Sequence, residues 1–118
     1  MKTILLIEDD SAIRDSLALA LDGPSYTITA VEDASTVMSE QATPPHLFLI
    51  DRNLVTMDGL DVCRFIKKSA LYKDIPVIML SASPDIAQLA AAARADDAIA
   101  KPFSLSSFRA KIDEHLQA

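Results

Sequence analysis

The chain has 118 residues, half of them hydrophobic, with seventeen acidic against eleven basic side chains and a formal net charge of −6. A chain of this size buries about two thirds of the surface its unfolded form exposes, so one domain over residues 1–118 with an ordinary core is expected. A lone cysteine excludes an internal disulfide, the acidic balance argues against direct nucleic-acid binding, and no apolar run approaches a membrane span, so a reducing, cytoplasmic setting is expected.

Residues 3–7 form an unbroken apolar run ending in acids, as a strand buried on both faces does. Residues 11–21 place Ile13, Leu17, Ala20 and Leu21 on one helical stripe; Asp10 or Ser11 caps its start and Gly23-Pro24 stops it. Residues 26–31 alternate and are β-rich, and 34–41 suit a short helix before Pro44-Pro45. Residues 47–50 repeat the buried-strand pattern and end in Asp51. Asp58-Gly59 opens a helix with the stripe Leu60, Cys63, Ile66 and Ala70. Residues 75–80 read as a third buried strand, Pro84 begins an alanine-rich helix to about Arg94, and 98–100 make a short last strand. Leu105, Phe108, Ile112 and Leu116 mark a closing amphipathic helix.

Strand and helix thus alternate five times with short connections, which predicts an α/β fold of parallel strands, right-handed crossovers and helices on both faces. Five such units most often wind in the flavodoxin-like order 2-1-3-4-5, whereas a closed eightfold barrel needs about twice the length. In that order a crevice opens at the carboxyl ends of the first and third strands, where Glu8, Asp9 and Asp51 stand. Neighbouring parallel strands lie about 4.8 Å apart, so these carboxyl groups raise one another's pKa unless a cation intervenes. Mg²⁺, which takes oxygen ligands, suits such a cluster. Ser81 and Lys101 follow two further strands of the same sheet, and a hydroxyl and an ammonium at that mouth would stabilise a transferred phosphoryl group.

Ile7-Glu8-Asp9-Asp10, Asp51 with Met57-Asp58-Gly59, Ser81-Ala82 and Lys101-Pro102-Phe103 together resemble the motif set of response-regulator receiver domains of two-component signalling. The resemblance runs from the first strand to the last helix. It implies that Asp51 is the phosphoacceptor and that Glu8 and Asp9 hold Mg²⁺ with Asp51 and the backbone carbonyl of Asn53. It gives Ser81 and Lys101 the task of binding the phosphoryl oxygens. The implied donor is a sensor histidine kinase or a phosphotransfer protein, with small phosphodonors as substitutes. The domain would later hydrolyse its own acyl phosphate, and no external substrate is turned over. A cis peptide between Lys101 and Pro102 is also implied.

Several positions depart from the family pattern. Val55 stands four residues after Asp51, where proline is usual, and so leaves the loop without a fixed φ. Ala98 replaces an aromatic ring that swings with the hydroxyl residue in many receivers, so signal is expected to leave through residues 81–93. Arg94 stands where glycine is common. Asp97 and Lys111 resemble an ion pair of the DNA-binding members that dimerise through the fourth and fifth helices. A weak homodimer is therefore open, although Ser107 replaces a further acid of that pattern. His46 and His115 look isolated.

Rival classes fit less well. A haloacid-dehalogenase phosphatase needs a general acid where Asn53 stands. A flavin module needs a phosphate-binding first loop, which Glu8-Asp9-Asp10 would repel. The surviving alternative is a receiver-like interaction module that works without phosphorylation, suggested by Val55 and Ala98.

Overall fold

The structure, a computed structural model, describes residues 2–21, 23 and 25–116. The sheet strands are β1 (Lys2–Ile7), β2 (Tyr26–Val31), β3 (Leu47–Asp51), β4 (Val77–Ser81) and β5 (Asp97–Ala100). The helices between and after them are α1 (Ser11–Leu21), α2 (Ser35–Met38), α3 (Gly59–Lys68), α4 (Ile86–Ala92) and α5 (Leu105–Leu116). Every pairing is parallel and the order is β2-β1-β3-β4-β5, as the alternation predicts.

The unbroken apolar runs have a direct cause in this order. β1, β3 and β4 are interior strands, so both faces of each are covered. Leu5, Ile7, Phe48, Ile50, Val77 and Met79 pack on one side with Val37 of α2, Leu60, Val62, Cys63 and Ile66 of α3 and Ile86 and Ala90 of α4. The alternate residues Ile4, Leu6, Leu47, Leu49, Ile78 and Leu80 pack on the other, with Leu17 and Leu21 of α1 and Phe108, Ile112 and Leu116 of α5. Each such aliphatic side chain contributes about 1.5–3 kcal/mol on full burial.

The structure corrects several element boundaries. Helix α2 is one turn rather than residues 34–41, because Glu40 enters the left-handed region (φ 59) and the N–H groups of Gln41 and Ala42 both turn back to the Thr36 carbonyl. Tyr72 Oη donates to the Ala42 carbonyl at 2.7 Å and fastens that turn to the segment after α3. β4 starts at Val77 rather than Ile75, since Pro76 has no N–H to give a ladder. Ala70 lies exposed beyond the end of α3, and Val62 fills the core in its stead. Ile13 is 38% exposed, leaving Leu17 and Leu21 as the buried stripe of α1. Helix α4 begins at Ile86, two residues after Pro84, and Arg94 beyond its end has φ 68. The proline of the expected Gly23-Pro24 stop lies outside the described residues.

Candidate functional site

The strand register that builds the sheet also builds the site. Ile7 pairs with Ile50, so Glu8 and Asp51 come next on adjacent strands at the switch point. Ser81 pairs with Ala100, and Lys101 follows one step beyond. Glu8 and Asp51 are only 1% and 4% exposed. Lys101 Nζ donates to Asp51 Oδ2 at 2.9 Å and lies 3.9 Å from Glu8 Oε2. Asp51 Oδ1 accepts the Asn53 N–H at 2.9 Å. Both oxygens of the expected phosphoacceptor are therefore oriented.

Glu8 is held differently. Its carbonyl accepts from Arg14 Nη1 at 3.0 Å and its Oε1 accepts the Asp10 N–H at 3.1 Å. Its Oε2 is buried without a hydrogen-bond partner among the described residues. Burial first, and then the neighbouring Asp51 carboxylate, push Glu8 up to about 8, with partial relief from the Asp10 N–H and from Lys101. Burial also pulls Asp51 upward, but Glu8, Lys101 and the Asn53 N–H together outweigh it and hold Asp51 below the usual carboxylate range. The two carboxyl groups are thus pushed in opposite directions, Glu8 toward its protonated form and Asp51 toward its ionised one.

Asp9 faces elsewhere. Its Oδ2 accepts the Val55 N–H at 2.6 Å, a bond that the family's usual proline could not make. Among the described residues, no three acid, histidine or cysteine side chains stand together as a formed metal cluster. The donor set nevertheless fits a hard cation: an orphaned carboxyl oxygen on Glu8 beside an ionised Asp51 is what an oxygen-seeking divalent ion would satisfy. Asp9 would join them by giving up Val55.

Asp10 caps α1, its Oδ1 accepting the N–H groups of Ala12 and Ile13. Asp58 caps α3 through the Leu60 N–H at 2.9 Å. Gly59 is required by close approach, because a Cβ there would lie 2.2 Å from the Asp51 carbonyl oxygen. Helix α3 therefore starts directly against the end of β3. Asn53, whose carbonyl the family resemblance implies as a metal ligand, forms an isolated antiparallel bridge with Asp58. Ser81 is fully buried and its Oγ accepts the Ser83 N–H at 3.0 Å, so its hydroxyl is engaged with its own loop. The Lys101–Pro102 peptide is cis, as expected.

Sequence reasoning missed three contacts. Arg52 Nη1 donates to Ser83 Oγ at 3.2 Å and joins the loop after β3 to the loop after β4. His115, expected to be isolated, lies 3.0 Å from Asp97 Oδ2, extending the 3.0 Å Lys111–Asp97 pair. His46, also expected to be isolated, accepts the Thr3 N–H on Nδ1 at 2.9 Å. The only sequence signal for these was a basic or imidazole side chain with no obvious task.

The structure is thus a doubly wound parallel sheet with buried acids at its switch point and a lysine reaching in from beyond the last strand. The response regulator receiver domain family matches residues 4–113, and the chain belongs to that family. It is similar to the transcriptional regulatory protein CseB of Streptomyces coelicolor, 38% identical over 112 residues that cover 92% of this chain and 47% of that protein. The chain spans about half the length of the curated relatives it matches. Among solved structures, the chemotaxis response regulator CheY4 of Vibrio cholerae superposes with TM-score 0.87 at 23% identity, over 98% of this chain and 99% of that one. The response regulator TrrA of Thermotoga maritima, in complex with Mg²⁺ and beryllofluoride, superposes with TM-score 0.85 at 27% identity, over 98% and 100%.

Proposed function

We propose that Asp51 accepts a phosphoryl group from a sensor histidine kinase or a phosphotransfer protein, and that residues 1–118 act as one receiver domain. The observation that carries this is the buried Asp51 carboxylate, reached by Lys101 at 2.9 Å and flanked by the buried carboxyl group of Glu8. Glu8, Asp9, Asp51 and the backbone carbonyl of Asn53 would hold Mg²⁺. The bound ion would supply positive charge between these carboxyl groups and the oxygens of the incoming phosphoryl group.

The chain's own residues do the rest. The Asn53 N–H and Lys101 fix the two oxygens of Asp51, so one of them is aimed at phosphorus as an anion. Attack forms a bond from the Asp51 oxygen to phosphorus while the bond from phosphorus to the donor's nitrogen breaks; the departing imidazole keeps that electron pair. Lys101 then follows the negative charge from the carboxylate to the phosphoryl oxygens. Ser81 turns to donate its hydroxyl to the same group, and hydrolysis by the domain itself resets the site.

The Mg²⁺–beryllofluoride complex of TrrA supports this reading. Cys63 is a free, buried thiol, which suits a reducing, cytoplasmic setting. No helix among the described residues is long and apolar enough to cross a membrane. The net charge of −6 supports an output read by a partner protein or attached domain rather than direct nucleic-acid contact.

A phosphorylation-independent interaction module is the second reading, favoured by the bond that ties Asp9 to Val55. Beryllofluoride with Mg²⁺ separates the two. Amide resonances around the pocket should shift in the wild type and stay unmoved in Asp51→Asn; identical responses of both proteins would reject the phosphoacceptor.

A further inference from the structure

We propose that Arg52 is a positioning residue that holds the Ser81 hydroxyl in its resting place, acting through Ser83, and so sets how readily the site accepts a phosphoryl group; this rests on Asp51 being the phosphoacceptor. The anchor is firm. Arg52 directly follows Asp51, its N–H donates to the Leu80 carbonyl at 2.9 Å, and its own carbonyl accepts the Gly59 N–H at 2.7 Å. From there Nη1 crosses to the loop after β4 and donates to Ser83 Oγ at 3.2 Å. Asp58 Oδ1, 3.7 Å from Nε, aims the guanidinium.

Ser83 is held at four points, its carbonyl accepting the Ile86 N–H at 3.2 Å. Its Oγ accepts from Arg52 and donates to Asp85 Oδ1 at 2.8 Å, and its N–H donates to Ser81 Oγ at 3.0 Å. For the Ser81 hydroxyl to move onto a phosphoryl group, it must leave the Ser83 N–H, or Ser83 must travel with it and leave Arg52. Either movement breaks a bond in this chain. The Arg52 side chain is 26% exposed, so water takes over part of its bonding when the latch opens. Removing the latch raises the share of molecules in the accepting arrangement, and apparent affinity rises in proportion to that share.

The test titrates beryllofluoride into the full chain at saturating Mg²⁺, with calorimetry as the readout. Arg52→Ala and Ser83→Ala should each bind about three to ten times more tightly than the wild type. The double variant should gain no more than the better single one, because both substitutions remove the same bond. A second arm needs no ligand: the Ser83 amide should exchange faster in Arg52→Ala than in the wild type. Unchanged affinity in Arg52→Ala, additive gains, or unchanged Ser83 exchange overturns the proposal while leaving the phosphoacceptor intact. Failure of the wild type to bind beryllofluoride overturns the phosphoacceptor reading and this proposal with it.

Discussion

Lys101 Nζ stands 2.9 Å from Asp51 Oδ2 and 3.9 Å from Glu8 Oε2, so one ammonium answers two buried carboxyl groups. One positive charge cannot neutralise both. The nearer group takes the ion pair and the farther is pushed toward its protonated form, which makes the site sensitive to pH in a definite direction.

Glu8 is raised from 4.5 to about 8. For a raised folded-state pKa the stabilising contribution is complete below 4.5 and lost as pH rises through about 8. Without Mg²⁺, wild-type stability should fall across that window. Glu8→Gln cannot ionise, so it never places a second negative charge beside Asp51. It should be more stable than the wild type above about pH 8, by on the order of 1–2 kcal/mol. Parallel melting curves of the two proteins across the window would contradict this.

Asp97 carries the opposite sign. Burial raises its pKa, but His115, the Ala98 N–H and Lys111 together outweigh burial and hold it below 3.8. A depressed pKa means stability that is present above 3.8 and lost as pH falls through the folded value. Asp97→Ala should destabilise the fold by about 1 kcal/mol at neutral pH, and the difference should fade below about pH 4. Denaturant midpoints of both proteins at the two pH values check the sign; a gap that widens in acid would be wrong.

The parts of the fold that sequence made legible are those fixed by period and length. The runs at 47–50 and 75–80 read as interior strands, and strand ends then put Glu8, Asp51 and Lys101 at one mouth. What was not legible depends on side-chain direction between distant segments. Asp9 turns to Val55, 46 residues away, and Arg52 to Ser83, 31 residues away, through rotamers that no periodicity encodes. The short α2 had a different cause. Residues 34–41 have adequate helix formers, but tertiary bonds from Ser69 to Glu40 and from Tyr72 to Ala42 hold the chain in its turn.

Val55 offers a direct way to probe Asp9. Val55→Pro removes the N–H that Asp9 Oδ2 accepts at 2.6 Å, leaving the carboxylate without its competitor for a cation. Mg²⁺ affinity, read from the rise in melting temperature on titration, should increase about threefold. Asp9→Ala should lose that rise altogether. A weaker Mg²⁺ response in Val55→Pro would mean that the loop bond assists the site.

Arg94 explains a departure in conformational terms. It closes α4 at φ 68, where an L side chain is strained and glycine is not. Arg94→Gly should relieve that strain against a smaller loss of backbone entropy, for a net gain of about 0.5–1 kcal/mol and a melting temperature about 2–5 °C higher. A lower melting temperature would show that the Arg94 side chain contributes more than its backbone forfeits.

The most direct measurement is intact mass after incubation with acetyl phosphate and Mg²⁺, followed by borohydride trapping and peptide mapping. The wild type should gain one phosphoryl group, trapped at Asp51, and should gain none when Mg²⁺ is chelated; Asp51→Asn should stay unmodified. Modification of Asp51→Asn to the same extent, or trapping at Glu8 or Asp9 in the wild type, would contradict the assignment of Asp51 as the acceptor.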